Sequence, residues 1–200
     1  MIRVLLVAVL FAKAPRFLGP PVKADAGVPD AGHAEADPPI LHPGDDAPMF
    51  SGVLHNPEQA GMQRIDLSSL VGSEADADQA AKAVLISFFA TWCKPCTKEM
   101  PFLQQLSTEY KDKGLRVLSV AIDKDEAAWP QIAQLVAQNH VTYPVVKDRY
   151  NLIARQYLGD KTALPSVFIV DKDGKIALVK QGYEKDAAEF LRAEVERAVK

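Results

Sequence analysis

The stretch Trp92-Cys93-Lys94-Pro95-Cys96 contains both cysteines of this 200-residue chain, in a C-x-x-C pattern. It follows the apolar run VLISFF at 84–89, which predicts a buried strand, and the residues after it predict a helix. The first sulfur would therefore stand where a strand ends and a helix begins. A helix N-terminus presents free N–H groups and the positive end of the helix dipole, and both stabilise a thiolate. The pattern predicts reversible disulfide chemistry, unless the two sulfurs bind a metal.

Charge and cysteine usage narrow the function classes. The net charge is −3, and no long run of Lys and Arg occurs, so we do not expect a nucleic-acid partner. Secreted proteins that rely on disulfides for stability carry several cysteines at scattered spacings. A single close pair closes a short loop that constrains the unfolded chain very little, so it indicates a catalytic role. The alternative is an inert disulfide.

Metal binding is a second alternative for the two sulfurs. A structural zinc site needs four ligands, and the histidines lie at no ligand-like spacing from the cysteines. We therefore expect no metal site, and no cofactor other than the disulfide itself. We expect the histidines to be surface residues; they are His33, His42, His55 and His140.

The N-terminal residues resemble a targeting segment. A short basic start is followed by an apolar run at 4–12, far shorter than the roughly 20 residues of a membrane-spanning helix. Residues 1–24 are therefore predicted to be a signal peptide or an N-terminal anchor, with a mis-assigned start codon as the alternative. Residues 25–43 are rich in Ala, Pro and Asp and predict a flexible linker. Residues 44–200 form the predicted folded domain.

Within that domain, apolar residues follow strand and helix periods in turn. Predicted strands cover 84–89, 115–122, 166–170 and 175–179. Predicted helices cover 94–110, 129–139, 151–157 and 186–199. Residues 63–71 predict a short strand or turn pair, and 73–82 a loop or weak helix. The inner face of the last helix is expected to contain Phe190, Leu191, Val195 and Val199. The turn DKDG at 171–174 is a hairpin signal, and the whole order predicts a mixed sheet covered by helices.

Three ordered motifs give the domain a family resemblance. They are GDDAPMF at 44–50, FFATWCKPCTKEMP at 88–101, and LPSVFIVD at 164–171 followed by Asp173-Gly174. Over about residues 42–200 the chain resembles the TlpA/ResA-like branch of thioredoxin-fold thiol–disulfide oxidoreductases. The resemblance implies an α/β thioredoxin fold, with a central mixed β-sheet flanked by helices and an N-terminal extension.

The same resemblance assigns roles around the cysteines. It makes Cys93 the exposed nucleophile and Cys96 the shielded thiol that resolves the mixed disulfide. Lys94 and Pro95 would tune the redox pair, since a nearby cation favours a thiolate. Trp92 would cover the active-site surface and contact substrate. The alternatives are a solvated Lys94 and a Trp92 that packs at the end of the strand.

Two further positions follow from the resemblance. A glutamate at the position of Glu99 belongs to the active site in the ResA-like branch, and a partly buried carboxyl there could move a proton for Cys96. Ser87 stands where cytoplasmic-type thioredoxins carry a buried Asp, which favours this role. A cis peptide at Leu164-Pro165 would leave the Leu164 backbone free to bind an extended substrate. The alternatives are a solvated Glu99 and an ordinary strand-start proline.

Together these features predict an exported thiol–disulfide oxidoreductase that reduces disulfides of protein substrates. Its location would be periplasmic or extracytoplasmic, with a membrane tether if the N-terminal segment is retained, and a membrane thiol protein would donate electrons. The sequence also fits a disulfide oxidase or isomerase, or a copper metallochaperone on the same fold. A peroxiredoxin-type peroxidase does not fit, because the Pro-x-x-x-Thr/Ser-x-x-Cys pattern is absent at Cys93.

Overall fold

The computed structural model describes residues 41–160, 163–182, 184 and 186–200. The predicted signal peptide or anchor at 1–24, and most of the linker predicted at 25–43, lie outside this range. The described strands are β1 Ser51–Val53, β2 Arg64–Asp66, β3 Ala83–Phe89, β4 Leu115–Ala121, β5 Val145–Lys147, β6 Ser166–Asp171 and β7 Ile176–Gln181. The described helices are α1 Pro57–Ala60, α2 Lys94–Tyr110, α3 Trp129–Gln138, α4 Leu152–Leu158 and α5 Ala187–Ala198. In this described part, no helix is both long and apolar enough to span a membrane.

The described strands form one small hairpin and one central sheet. β1 pairs with β2, and the five-stranded sheet has the order β5-β4-β3-β6-β7. β4 runs parallel to β3 and β5 parallel to β4, whereas β6 and β7 are antiparallel to their neighbours. The sheet is therefore mixed, as the sequence predicted. β3 is buried along its whole length because it has neighbours on both edges and helices on both faces.

The two faces of the sheet have different covers. On one face, Phe88 of β3 and Phe168 of β6 pack on Tyr157 of α4, with ring centroids 5.4 Å and 5.1 Å apart. Side chains alternate along a strand, so Ser87 points to the opposite face. That opposite face is covered by α2 and α5, which are joined by a hydrogen bond of 2.7 Å from the Tyr110 hydroxyl to Glu196.

Most predicted elements occur within one or two residues of their expected bounds, and the DKDG hairpin is present. The short elements β1, α1 and β5 were missed, because three or four residues carry too little periodicity. Of the two alternatives for 73–82, the loop is correct, since the region contains turns and no helix. Two expectations about burial were wrong. Phe190 is 40% exposed, at the margin of α5.

His55 is the second of these exceptions, since it is half-buried instead of a surface residue. Its ring lies edge-on to Trp129, with centroids 5.7 Å apart. Burial, with a smaller contribution from the Lys147 cation, lowers the pKa of His55 to about 4. The contact joins the segment after β1 to the start of α3.

The next residue, Asn56, attaches this segment to the central sheet. Its side chain is buried, donates a 2.9 Å hydrogen bond to the Tyr143 carbonyl, and accepts one of 2.9 Å from the Val145 N–H. Both backbone groups lie at the start of β5. Asn56 therefore satisfies two buried backbone groups that would otherwise lose their solvent partners.

We predict that Asn56→Ala lowers the free energy of unfolding by about 2–4 kcal/mol, because two buried backbone groups lose their partners. Urea unfolding followed by circular dichroism measures this. Asn56→Asp keeps the acceptor but not the donor and should be intermediate. Gln59→Ala, on the exposed side of α1, is the matched control. Equal stability of Asn56→Ala and Gln59→Ala would contradict the assigned role.

Candidate active site

The two cysteines form a disulfide at the N-terminus of α2. The S–S distance is 1.96 Å, and the Cys93 sulfur accepts a hydrogen bond of 3.3 Å from the Cys96 N–H. Cys93 is the N-cap residue of the helix, as the sequence predicted. Both residues are buried, with 5% of Cys93 and 2% of Cys96 exposed. Cys93 is thus not the exposed residue that we expected, and the contrast between the two is small.

The start of the helix supplies the electrostatics of the pair. The Cys96 N–H points at the Cys93 sulfur, and it would donate to a thiolate there after reduction. Lys94 is the first residue of α2 and its side chain is exposed, which places a solvated cation beside the pair. Pro95 lies in the first turn, where its missing N–H costs no helical hydrogen bond.

Trp92 lies on the surface beside the disulfide, with 68% of the residue exposed. It does not pack at the end of the strand, and it lines a shallow cavity together with Ile122 and Asp123. The Asp123 carboxylate accepts hydrogen bonds from the Thr91 N–H at 3.0 Å and the Thr91 hydroxyl at 2.7 Å. Asp123 therefore fixes the residue before Trp92. The sequence analysis missed this residue, although an acid just after a strand of a parallel pair is a usable signal.

The Leu164-Pro165 peptide is cis, as the resemblance implied. Pro165 comes directly before β6, whose first residue, Ser166, is the register partner of Phe88 near the end of β3. The Pro165 carbonyl accepts a 2.8 Å hydrogen bond from the Gly182 N–H, which links it to the end of β7. The cis-proline and the disulfide thus lie at the same end of the sheet.

Glu99 is half-buried on α2, so the alternative of a solvated surface residue is wrong. Its Oε2 atom is fully buried and has no hydrogen-bond partner among the described residues. Burial raises the pKa of Glu99 to about 7, and the Lys180 cation opposes this shift. The position three residues after Cys96 places the carboxyl one helical turn further along α2. Such a carboxyl can exchange a proton near neutral pH.

Two buried polar groups near Glu99 were not found from the sequence. Lys180 of β7 is 9% exposed, and its ammonium lies 2.6 Å from a carboxylate oxygen of the exposed Glu184. The Tyr143 hydroxyl is buried and, within the part of the chain that the structure describes, makes no hydrogen bond. Burial raises the pKa of Tyr143, the nearby Ser119 hydroxyl opposes this shift, and the charge of Glu99 adds a smaller contribution to it. Lys180 lies one residue beyond the strand predicted at 175–179, so the sequence carried no signal for its burial.

Metal binding gains no support from the geometry. Across the described residues, no group of three or more His, Cys, Asp and Glu side chains could hold a metal ion. The absence of a metal therefore stays a prediction for the chain as a whole.

Comparison with known proteins gives the family. Residues 42–197 match the Redoxin family. The chain belongs to this family. Thiol-disulfide oxidoreductase ResA of Oceanobacillus iheyensis is 31% identical to this Redoxin protein over 147 residues, which are 73% of this chain and 68% of the relative. The expected resemblance to ResA-like thiol–disulfide oxidoreductases is confirmed.

Other relatives agree with this placement. Thiol-disulfide oxidoreductase ResA of a Bacillus cereus strain is 37% identical over 99 residues, which are 50% of this chain and 54% of the relative. This Redoxin protein thus spans about half the length of several curated relatives that it matches. The structure of a thiol:disulfide interchange protein, a thioredoxin family protein from Chlorobium tepidum TLS, is 26% identical with a TM-score of 0.61, and the match covers 81% of this chain and 100% of that chain. The predicted thioredoxin fold is confirmed.

The raised pKa of Glu99 predicts how stability depends on pH. Between its ordinary pKa of 4.5 and its folded value of about 7, the folded protein keeps a proton that the unfolded chain has lost. The stability that the protonated Glu99 carboxyl contributes is therefore complete below its ordinary pKa, and it is lost as the pH rises through the pKa of the folded protein. We predict that the unfolding free energy of Glu99→Gln relative to wild type increases by about 2–3 kcal/mol as the pH is raised from about 4 to about 8.

Urea unfolding at a series of pH values measures this difference. Glu58→Gln removes an exposed carboxylate from α1 and controls for the change in net charge. A Glu99→Gln difference that is constant across the pH range would show that Glu99 does not titrate as described.

Proposed function

We propose that this Redoxin-family protein is a thiol–disulfide oxidoreductase that reduces disulfides in protein substrates. The observation that carries the proposal is the Cys93–Cys96 disulfide at the start of α2, at the same end of the sheet as the cis Leu164-Pro165 peptide. The first group supplies a reversible two-electron couple, and the second presents backbone to an extended chain. The match to ResA-like relatives supports the same function.

The chemistry begins with the dithiol form. The Cys93 thiolate attacks one sulfur of a substrate disulfide, so a Cys93–substrate bond forms while the substrate S–S bond breaks. The substrate sulfur that leaves takes up a proton. The Cys96 thiolate then attacks the Cys93 sulfur and releases the second substrate thiol. The substrate has gained two electrons, and the Cys93–Cys96 disulfide is restored. A dithiol of a membrane protein would reduce it again.

Glu99 would serve the second step as proton acceptor. The Cys96 thiol must lose its proton before it can attack, and the shielded position keeps bulk water away. A carboxyl with a pKa of about 7, one turn away on the same helix, matches that task. The same group can return the proton when the disulfide is reduced again.

The substrate would bind beside the cis-proline. An extended segment can pair with the Leu164 backbone in the manner of an added strand. Trp92 is exposed next to the disulfide and offers a large apolar surface for the same segment. Asp123 holds the start of this surface in place through Thr91.

The cell compartment and redox direction are part of the proposal. The short apolar run at 4–12 and the single cysteine pair support export to a periplasmic or extracytoplasmic space. The resemblance to ResA-like proteins and the proline at position 95 support the reducing direction. Lys94 acts in the opposite sense, because a cation stabilises the reduced form.

The roles of the two sulfurs predict different trapping behaviour. Cys96→Ser should accumulate a mixed disulfide between Cys93 and a substrate protein, because the resolving thiol is absent. Cys93→Ser should trap nothing and have no turnover. Non-reducing gels with a scrambled disulfide protein as substrate measure both. Equal trapping by the two variants would contradict the assigned order of attack.

The redox direction predicts the reduction potential. Equilibration against a glutathione buffer should give a value nearer to about −270 mV than to about −120 mV, which is typical of strong oxidants. Lys94→Ala should lower the potential further, since the reduced form loses a neighbouring cation. A wild-type value above about −150 mV would reverse the assignment and make the protein a disulfide oxidase.

A further inference from the structure

The register of the central sheet places Lys180 in a row that crosses the sheet beneath α2. Lys180 of β7 pairs with Val167 of β6, Val167 pairs with Ser87 of β3, and Ser87 pairs with Ser119 of β4. Residues that are directly paired point to the same face. These four side chains therefore lie on one face, and the row contains a buried cation and two buried hydroxyl groups.

The face of this row is the one that α2 and α5 cover. Phe88 and Phe168 contact α4 on the other face, so their neighbours Ser87 and Val167 point away from α4. The Lys180 ammonium lies 5.7 Å from the ring centre of Phe190 on α5. Lys180 is thus enclosed between β7 and the helical layer that carries Glu99.

Two groups at opposite ends of the row are coupled electrostatically to Glu99. The Lys180 cation of β7 lowers the pKa of Glu99, and the charge of Glu99 raises the pKa of Tyr143, in the segment before β5. Cys96 lies one turn away on the same helix. In the described part of the chain, Lys180 is the one charged group that shifts the pKa of this carboxyl. The charge state of Glu99 therefore depends on burial, which opposes ionisation, and on Lys180, which favours it.

The ion pair with Glu184 gives little reason by itself to bury a lysine. Glu184 has 67% of its side chain exposed, and such pairs contribute about 0–1 kcal/mol. Placing an ammonium where 9% of its side chain remains exposed carries a desolvation cost. The strand register and the Phe190 ring, and not the exposed Glu184, place the ammonium against the helical layer that carries Glu99.

We propose that Lys180 is a positioning residue for the redox reaction: its buried ammonium, on the sheet face beneath α2 and α5, makes Glu99 able to give up and take back a proton. The inference rests on the proposed proton-transfer role of Glu99. Without the cation, burial would keep Glu99 protonated to a higher pH, and it would accept a proton from Cys96 poorly. Glu184 moderates the effect, since its negative charge partly offsets that of Lys180.

The test follows the Glu99 carboxyl directly, in the oxidised full-length protein. Carbon-13 NMR gives its titration midpoint, with the signal assigned by its loss in Glu99→Gln. Lys180→Met should raise the midpoint by about one pH unit, and Lys180→Arg should keep it near the wild-type value. Glu184→Gln should lower it by about 0.3 pH unit, because the remaining cation is no longer offset.

Lys175→Met is the matched control for the loss of a cation. Lys175 precedes the same strand, is paired with Asp46 at 2.5 Å, and should leave the midpoint unchanged when replaced. An unchanged midpoint in Lys180→Met, or an equal shift in Lys175→Met, would overturn the inference. If Lys180→Met folds poorly, the Glu99 midpoint in Glu184→Gln decides the question, because the exposed Glu184 side chain can be changed without disturbing the core. An upward or absent shift in that variant would also overturn it.

Turnover distinguishes the failure of this inference from failure of the proposed role of Glu99. In the wild type, the pH–rate profile should have a limb that Glu99→Gln removes and Lys180→Met moves upward by the same amount as the NMR midpoint. If the pH-dependent limb of the rate profile persists in Glu99→Gln, the proposed proton transfer fails. The NMR midpoints then decide only whether Lys180 sets the pKa of Glu99. If the limb disappears in Glu99→Gln but the midpoint does not respond to Lys180→Met, the proton-transfer role stands and the inference fails.

Discussion

The register of β3 with its two neighbours is the constraint on which the rest of the structure depends. β3 is buried along its length, pairs with β4 on one edge and with β6 on the other, and ends just before the cysteine motif. One edge fixes the crossover through α2 and so places Cys93 at a helix start. The other edge brings Ser166, and with it Pro165, beside Phe88. A shift of one residue would exchange the faces of every side chain on the strand.

The same register gives the two faces of the sheet different buried side chains. On the α4 face, Phe88, Phe168 and Tyr157 form an aromatic cluster, which suits a face with no chemical task. On the α2 face, β3 and β4 carry buried serines and β7 carries a buried lysine, beneath the helical layer that contains the half-buried Glu99. Polar groups of this kind are costly in an interior unless they are paired or used. Their location on the sheet face beneath the helical layer that carries Glu99 connects this cost to the proposed proton transfer.

The groups around the Cys93–Cys96 pair come from different elements of the fold. The helix start stabilises a thiolate at Cys93, while Glu99, one turn beyond Cys96, carries a pKa of about 7. The cis-proline and Trp92 provide the surface on which a protein substrate would bind. Each of these groups has a role in the proposed reaction, and the fold brings them together from separate elements.

Local periodicity in the sequence alone determined most elements and placed the C-x-x-C motif where a strand ends and a helix begins. The cis-proline and the candidate Glu99 followed from the resemblance of the sequence motifs to a known family. The sequence could not give the three-residue edge strand β5 or the burial of Cys93, which depend on contacts from distant segments. Lys180 and Tyr143 were also invisible, since a lysine in a strand and a tyrosine in a loop look like ordinary residues. Only the strand pairing decides that Lys180 shares a face with Ser87, far away in the chain, and that Glu99 lies over the same face. Electrostatic coupling follows distance in space and not in sequence, so the tertiary structure alone sets the charge environment of the active site.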